Sequence, residues 1–255
     1  MRESPLVKIV TWNVNGIRAR WAQLLELVES ERPDVICLQE LKAKREQVPE
    51  GLFGLAGYWC YWHGASAYSG VGLHLRKDRF PEQPAFAHPS FDHETRIVEA
   101  TAGDLSVASV YVPNGGKDYA AKLRFLQALE EYAARARAAH RSLVICGDLN
   151  VARTDRDVHP KERKPNAIGQ RPEERDLLER VLGSGVVDVG RALDPDNEGL
   201  FTWWAPWRNL RQRNIGWRLD YVLASEDLAR SALACPVRRE FGTSDHGPVV
   251  ATFAG

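Results

Sequence analysis

The sequence predicts an α/β domain with sheet at its centre and helices outside. Short β-rich runs recur from end to end. Several are continuously apolar rather than alternating, the mark of a strand buried on both faces. Helical patterns lie between them along the whole length, with no linker, composition break or solenoid-period repeat, so the layers share one chain segment and one core. With 255 residues the chain is long enough for a substantial core, and residues 1–255 are expected to form one domain.

In chain order, the expected strands are "LVKIVTWNV", "PDVICLQE", "GVGLHLR", "RIVEAT", "LSVASVYVP", "SLVICGDLN", "RLDYVLAS" and "PVVATF". The first helix is "RWAQLLELVESERP", which spaces Trp21, Leu24, Leu25 and Val28 on one face and stops at Pro33. The second, "YAAKLRFLQALEEYAARARAAHRS", is long and alanine-rich, with Leu123, Leu126 and Leu129 at helical intervals. The third, "RPEERDLLERVLGSG", begins with Pro and acids and ends at Gly, complementing the helix dipole and its termini. The polar stretch "KERKPNAIGQRPEER" reads as a long loop of the functional kind.

Lys and Arg number 34 against 34 Asp and Glu, and the pI is near 7.1. Whole-molecule charge gives no push toward nucleic acid or membrane, so a polyanion must be met by a local basic face. Cysteines 37, 60, 146 and 235 lack metal-ligand spacing, and Cys37 and Cys146 sit in apolar runs. They read as core thiols in a reducing cytosol. No segment has the apolar length of a signal peptide or a membrane span, and a soluble cytoplasmic protein is expected.

The informative feature lies at the ends of the apolar strands. "IVTWNVNG" ends in Asn13 and Asn15, "VICLQE" in Glu40, "VASVYVPN" in Tyr111 and Asn114, and "LVICGDLN" in Asp148 and Asn150. Asp220 lies within "GWRLDYVL", and Asp245 and His246 precede the last strand. Taken singly, each is an ordinary turn former or a solvated strand end, and "GD" is an ordinary turn. Together, side chains at strand ends converge on one cleft. Several carboxylates, one His, amides and a Tyr, without a Ser-His or Cys-His pattern, suit an oxygen-ligated divalent ion such as Mg²⁺ or Mn²⁺. A carboxylate outside the metal shell activates water and a His holds a phosphoryl oxygen, which is the chemistry of metal-assisted phosphodiester hydrolysis.

With "TWNVNGIRAR", "DVICLQELK", "YSGVGLHLRK", "SVYVPNGG", "ICGDLNVA", "RPEER", "FTWW", "GWRLDYVLAS" and "TSDHGPV" in this order, the chain resembles the exonuclease III and apurinic/apyrimidinic (AP) endonuclease family of DNase I-like metal-dependent phosphohydrolases. The resemblance implies a four-layer α/β sandwich, two mixed β-sheets face to face with helices on the outer faces. It implies cleavage 5′ to abasic sites in double-stranded DNA, with cleaning of blocked 3′ ends and 3′→5′ exonuclease activity, by a monomer with no membrane partner. Glu40 would be the principal metal ligand, with Asn13 and Asp245 nearby. Asp148 would orient or deprotonate water with help from Asn150. His246, oriented by Asp220, would contact the scissile phosphate, and Tyr111 and Asn114 would complete the phosphate site.

"FTWWAPWRNLRQRNIGWR" gathers Trp203, Trp204, Trp207 and Trp217 among Arg208, Arg211, Arg213 and Arg218, a composition suited to stacking and phosphate contact. Trp204 is expected in the core. By the resemblance, Trp203, Trp217 and Leu219 would wall the pocket of a flipped-out abasic sugar, whose missing base makes extrusion cheap. Arg18 and Tyr68 would touch the DNA backbone, and Asn166 would reach the DNA from the long loop. Two departures from the family's pattern bear on activity. Asn15 stands where some relatives carry Asp, and the loop "DVHPKERKPNAIG" is slightly short, with His159 bulky enough to narrow the pocket. Two other readings use the same residues: a phosphatase of a small phosphorylated molecule or lipid head group, and a DNA-damage-binding protein without catalysis.

Overall fold

A computed structural model describes residues 7–49, 57–65 and 68–255. Strands β1 (Val7–Asn13), β2 (Val35–Gln39), β3 (Tyr58–His63), β4 (Val71–Arg76), β11 (Ala232–Ala234) and β12 (Val249–Phe253) form one sheet, in the order β11-β12-β1-β2-β4-β3. The second sheet holds β5 (Ala85–Ala87), β6 (Ile97–Ala102), β7 (Leu105–Tyr111), β8 (Ser142–Asp148), β9 (Val186–Asp188) and β10 (Asp220–Ser225), in the order β5-β6-β7-β8-β10-β9. Both sheets are mixed, because β1 runs parallel to β2 and β7 parallel to β8 while the other pairings are antiparallel.

The continuously apolar runs are a consequence of this stacking. In β2, Val35 and Cys37 point between the sheets, where they meet Ile9, Leu73 and Leu75 and, from the other sheet, Val98, Val107, Val144 and Val222. Ile36 and Leu38 point outward, onto Leu24 and Leu27 of helix α1 (Ile17–Glu31). In the second sheet, Ala108, Val110, Ile145 and Leu223 face the opposite outer layer, α2 (Tyr119–Ala138) and α3 (Pro172–Gly183). Full burial of one such side chain contributes about 1.5–3 kcal/mol, and a strand with partners on both faces collects it from every residue. Four layers result. Cys37 and Cys146 are buried free thiols in the central layer.

All eight expected strands are present. Among the described residues four further strands, β3, β5, β9 and β11, lie at the sheet edges; three of them are only three residues long, too short for a pattern to mark. The helices need one correction. Helix α1 buries Ile17, Leu24 and Leu27, while Trp21 is 42% exposed. The buried stripe is therefore rotated away from Trp21, and the helix ends with Arg32 in the left-handed conformation just before Pro33. In α2, Lys122 is buried alongside Phe125, Leu126 and Leu129.

The two parallel pairs matter for function. Strands β1, β2, β7 and β8 end at Asn13, Gln39, Tyr111 and Asp148, and registers pair Asn13 with Gln39 and Tyr111 with Asp148. Strand β10 starts at Asp220, opposite Asp148, because it runs antiparallel. Gly147 lies inside β8, as the expected strand "SLVICGDLN" has it, and not in a simple turn. Its φ is +148°, and a Cβ there would lie 1.9 Å from the Val110 carbonyl oxygen. Only glycine lets β7 and β8 come this close while setting Asp148 at the rim.

Candidate active site

Asp148, Asp220 and His246 form a buried cluster whose ligating atoms lie within 4.8 Å of one another. His246 Nδ1 is 2.8 Å from Asp220 Oδ2, and His246 Nε2 is 3.8 Å from Asp148 Oδ2. The imidazole is thus fixed by one carboxylate and turns its other nitrogen toward the second, as in carboxylate–His pairs generally. Asn13 Nδ2 donates to Asp148 Oδ2 at 2.9 Å, and the Asn150 N–H donates to Asp148 Oδ1 at 2.9 Å. Asn114 Nδ2 donates to Asn150 Oδ1 at 3.2 Å, tying the end of β7 to the end of β8.

Asp245 faces a neighbouring set. Its Oδ1 accepts from Asn15 Nδ2 at 2.7 Å and its Oδ2 from Trp203 Nε1 at 3.0 Å. Glu40 comes directly after β2 in the left-handed conformation, with φ of 56°. Lys42 Nζ bridges Glu40 Oε1 at 2.8 Å and Asn15 Oδ1 at 2.6 Å. The Tyr111 ring lies 4.8 Å under the Arg96 guanidinium.

The electrostatics result from crowding anions in a dry site. Burial pushes the Asp148 carboxyl up to about 7, opposed by His246 and helped by Asp220. Burial alone would lower the His246 imidazole, but the Asp220 and Asp148 carboxylates raise it to about 10. Burial pushes the Tyr111 hydroxyl well up, and Glu40 and Asp148 add to this, so the phenol stays a neutral donor. Burial also raises Asp245, yet His246, Asn15 and Trp203 hold it below the ordinary carboxylate value. Four carboxylates, Glu40, Asp148, Asp220 and Asp245, share one buried imidazolium and one lysine, and Asp220 Oδ1 has no hydrogen-bond partner. Such a surplus is costly without a cation. An oxygen-rich anionic rim fits a hard divalent ion. Glu40 pairs with Lys42, while Asn13 Oδ1 already accepts from the Asn15 N–H at 3.0 Å.

The wall beside this cluster comes from irregular backbone. Trp203 is bridged to both Trp217 and His246, and the two indoles meet edge to face at 5.6 Å. Leu219 is buried, and its N–H and that of Asp220 both donate to Thr202 Oγ1, at 2.9 and 3.0 Å. Trp217 Nε1 is buried without a partner. Gly169, from the long polar loop, packs where a Cβ would lie 3.0 Å from the Trp217 ring. Buried Lys122 donates to the Asn150 carbonyl at 2.8 Å and pairs with Glu174, whose carboxylate accepts from the Gly169 N–H. This pair anchors both Asn150 and the loop.

Three further expected residues, Arg18, Tyr68 and Asn166, are exposed. Lys117 lies 5.9 Å over the Tyr68 ring, and the Asn166 carbonyl accepts from Arg171. The arginine–tryptophan segment divides in two. Trp204 is core, as expected, and Trp207, Arg208 and Arg213 are exposed. Arg218, read as a phosphate contact, is instead buried in ion pairs with Asp157 and Asp188. Arg211 is likewise committed, donating to the carbonyls of Arg239, Phe241 and Ser244 and so bracing the approach to Asp245. The His159 ring lies edge-on to Phe201, 6.1 Å away, and its backbone N–H donates to Gly216. A cavity of about 750 Å³ beside Phe201, lined also by Leu200, Val237 and Phe241, includes none of the cluster residues.

Sequence reasoning missed Thr202, Ser244, Lys42 and the Lys122–Glu174 pair. Ser244 Oγ donates to the Asn13 carbonyl at 2.7 Å. Thr202 and Ser244 stand inside the motifs "FTWW" and "TSDHG", but a loop hydroxyl carries no sign of being buried.

The pattern of the Endonuclease/Exonuclease/phosphatase family matches residues 10–246, from β1 through His246. The chain belongs to this family. Within it, the chain is 36% identical over 254 residues to Recombination repair protein 1 of Drosophila melanogaster, covering 97% of this chain and 37% of that one. The chain thus spans about a third of that relative's length. It is 34% identical to the exodeoxyribonuclease of Bacillus subtilis, covering 95% of this chain and 98% of that protein. Among solved structures, an AP endonuclease from Archaeoglobus fulgidus superposes with a TM-score of 0.88 at 29% identity, over 98% of this chain and 100% of the other. A 3′ phosphatase from Neisseria, NExo, bound to a product DNA hairpin, also gives 0.88, at 30% identity, over 97% and 99%. This family member is therefore a hydrolase of the nuclease type with the four-layer fold.

Proposed function

We propose that this family member is a DNA-repair nuclease that hydrolyses the phosphodiester 5′ to an abasic site, with trimming of blocked 3′ ends as a second activity. The observation that carries the reading is the surplus of buried carboxylate around His246 at the rim where both sheets end. An anion binds there only if a cation joins it. Mg²⁺ or Mn²⁺ would be held by Glu40, with Asp245 and Asn13 beside it, and would supply Lewis-acid polarisation of a phosphoryl oxygen.

The chain's own groups divide the remaining work. Asp148, with its pKa moved to about 7, is near the best value for taking a proton from water at neutral pH. Asn13 and the Asn150 N–H hold it in place. His246, kept protonated by Asp220, offers Nε2–H to a phosphoryl oxygen. Tyr111 is a neutral hydroxyl donor on the same rim, and Asn114 braces Asn150. Trp203, Trp217 and Leu219 would receive the extruded sugar, while Arg18, Tyr68 and Asn166 stand exposed for the DNA backbone. The same reading takes residues 1–255 as one catalytic domain acting as a cytoplasmic monomer.

The test compares an abasic duplex, a 3′-phosphate end and an undamaged recessed end, each with and without Mg²⁺. Nicking of the abasic duplex is expected to fall by roughly 10³-fold in both Glu40→Ala and His246→Asn. Undiminished turnover in both variants refutes the assignment. Duplex binding should also weaken steeply with salt. Hydrolysis of small phosphomonoesters with flat salt dependence would favour the small-molecule phosphatase reading instead.

A further inference from the structure

The edges of the two sheets meet at a second side-chain cluster that contains none of the catalytic residues. Strand β3 ends at His63 on the edge of the first sheet, and β5, on the edge of the second, runs directly into His88. Tyr61 and Phe86 stack across this seam at 5.0 Å, and the His63 and His88 rings stack at 3.7 Å. Asp92 completes the group. Its Oδ1 accepts from the N–H groups of Arg96 and Ile97, at 2.8 and 3.1 Å, which fixes the carboxylate and leaves Oδ2 facing His63 Nε2 at 2.7 Å. One ligating atom from each of His63, His88 and Asp92 lies within 4.8 Å of the others.

We infer that His63, His88 and Asp92 form a second metal site, for a borderline divalent transition ion such as Zn²⁺, that staples the edge strands of the two sheets. Two imidazoles and one carboxylate suit Zn²⁺ and neighbouring transition ions, whereas Mg²⁺ prefers an all-oxygen shell. The catalytic rim, with four carboxylates, has the opposite bias. The three donors leave a fourth position to water, and the exposed face of His88 gives the ion its way in. Bond lengths near 2.1 Å around a tetrahedral ion put ligand atoms about 3.4 Å apart. The His63–Asp92 contact of 2.7 Å therefore opens by about 0.7 Å, within reach of a side-chain adjustment.

The test titrates Co²⁺, as a coloured stand-in, into the protein with excess Mg²⁺ present, and monitors visible absorption and thermal denaturation. The wild type should take up one Co²⁺ with saturable absorption and a raised melting temperature. In His88→Ala, an exposed position whose loss leaves the fold and Mg²⁺-dependent hydrolysis unchanged, affinity should fall at least tenfold and the thermal shift should vanish. In His246→Asn the absorption should remain. Absence of saturable uptake in the wild type overturns the site. So does uptake that survives His88→Ala, or uptake lost only with His246, which would assign the ion to the catalytic rim.

Discussion

Arg218 and Asp220 are two residues apart, yet they belong to buried charge clusters of opposite construction. Around Arg218, every strong group is matched. Its Nε donates to Asp157 Oδ1, and its two terminal nitrogens form a fork on Asp188, at 2.7 to 2.8 Å. Arg191 adds a second donor to Asp157, and Thr154 caps the remaining oxygen. Burial would raise Asp157, but Arg218 and Arg191 hold it below the ordinary value. Around Asp220, anions outnumber cations, one oxygen is unpartnered and Asp148 is pushed up toward neutrality. A closed network can only hold the chain together. An open one has unspent hydrogen-bonding and charge to offer a ligand, which is the physical difference between bracing a site and being one.

The sharpest contrast is between two neutralisations, one in each cluster. Asp148→Asn should lower nicking of an abasic duplex by about 10³-fold, the scale of a lost general base. Metal-free thermal stability should be unchanged or higher, because the substitution removes one buried like charge. Arg218→Met should do the reverse. It leaves Asp157 and Asp188 buried with fewer partners, at a cost of about 3–5 kcal/mol by denaturant unfolding. Turnover per folded molecule should fall far less than in Asp148→Asn. If Asp148→Asn unfolds the protein while Arg218→Met abolishes only catalysis, the two clusters have been assigned the wrong way round.

This contrast also explains what could be read in the sequence. The eight inner strands were legible because burial on both faces leaves a continuous apolar run such as "VICL". Polar residues after those runs were legible because β1, β2, β7 and β8 all end at one rim. The division into two sheets was carried by resemblance alone, since no periodicity says that β2 pairs with β4 rather than with β7. Arginine composition misled for a related reason. Arg218 beside Trp217 looks like Arg208 beside Trp207, and only the distant Asp157 and Asp188 distinguish an ion-paired guanidinium from a free one. Buried Lys122 with Glu174 was illegible for the same cause, with 52 residues separating the partners.

Acid should act on the two clusters with opposite sign. Asp148 has a folded-state value raised from 3.8 to about 7. Its contribution to stability is therefore present in full below pH 3.8 and lost as pH rises to about 7. The stability advantage of Asp148→Asn over the wild type, without metal, should be absent below this window. It should grow through it by at most about 1.4 kcal/mol per pH unit. Asp157 has a lowered value, so what it contributes is present above its ordinary range and lost as pH falls through the depressed value. Urea denaturation of wild type and Asp148→Asn across pH, in chelator, measures the difference. A flat difference curve would remove the claim that the catalytic cluster is the strained one.

The smallest expected effect lies at Asn15, which links Asp245 to Lys42 in the open cluster. Its Nδ2 donates to Asp245 Oδ1 at 2.7 Å, and its Oδ1 accepts from Lys42 at 2.6 Å. Asn15→Asp replaces the donor facing Asp245 with a second anion, while Lys42, already shared with Glu40, can answer only part of the added charge. Without metal the change should destabilise by about 0.2–1 kcal/mol, the scale of a partly exposed charge pair. With Mg²⁺ the extra carboxylate works in the ion's favour, so apparent affinity should tighten several-fold. Melting temperature measured across an Mg²⁺ titration reads both quantities in one experiment. The two curves should start apart and cross as metal is added, because the same charge that strains the empty rim holds the ion more firmly. Parallel curves would mean that Asn15 lies outside the field of the metal and that Asp245 acts through Trp203 alone.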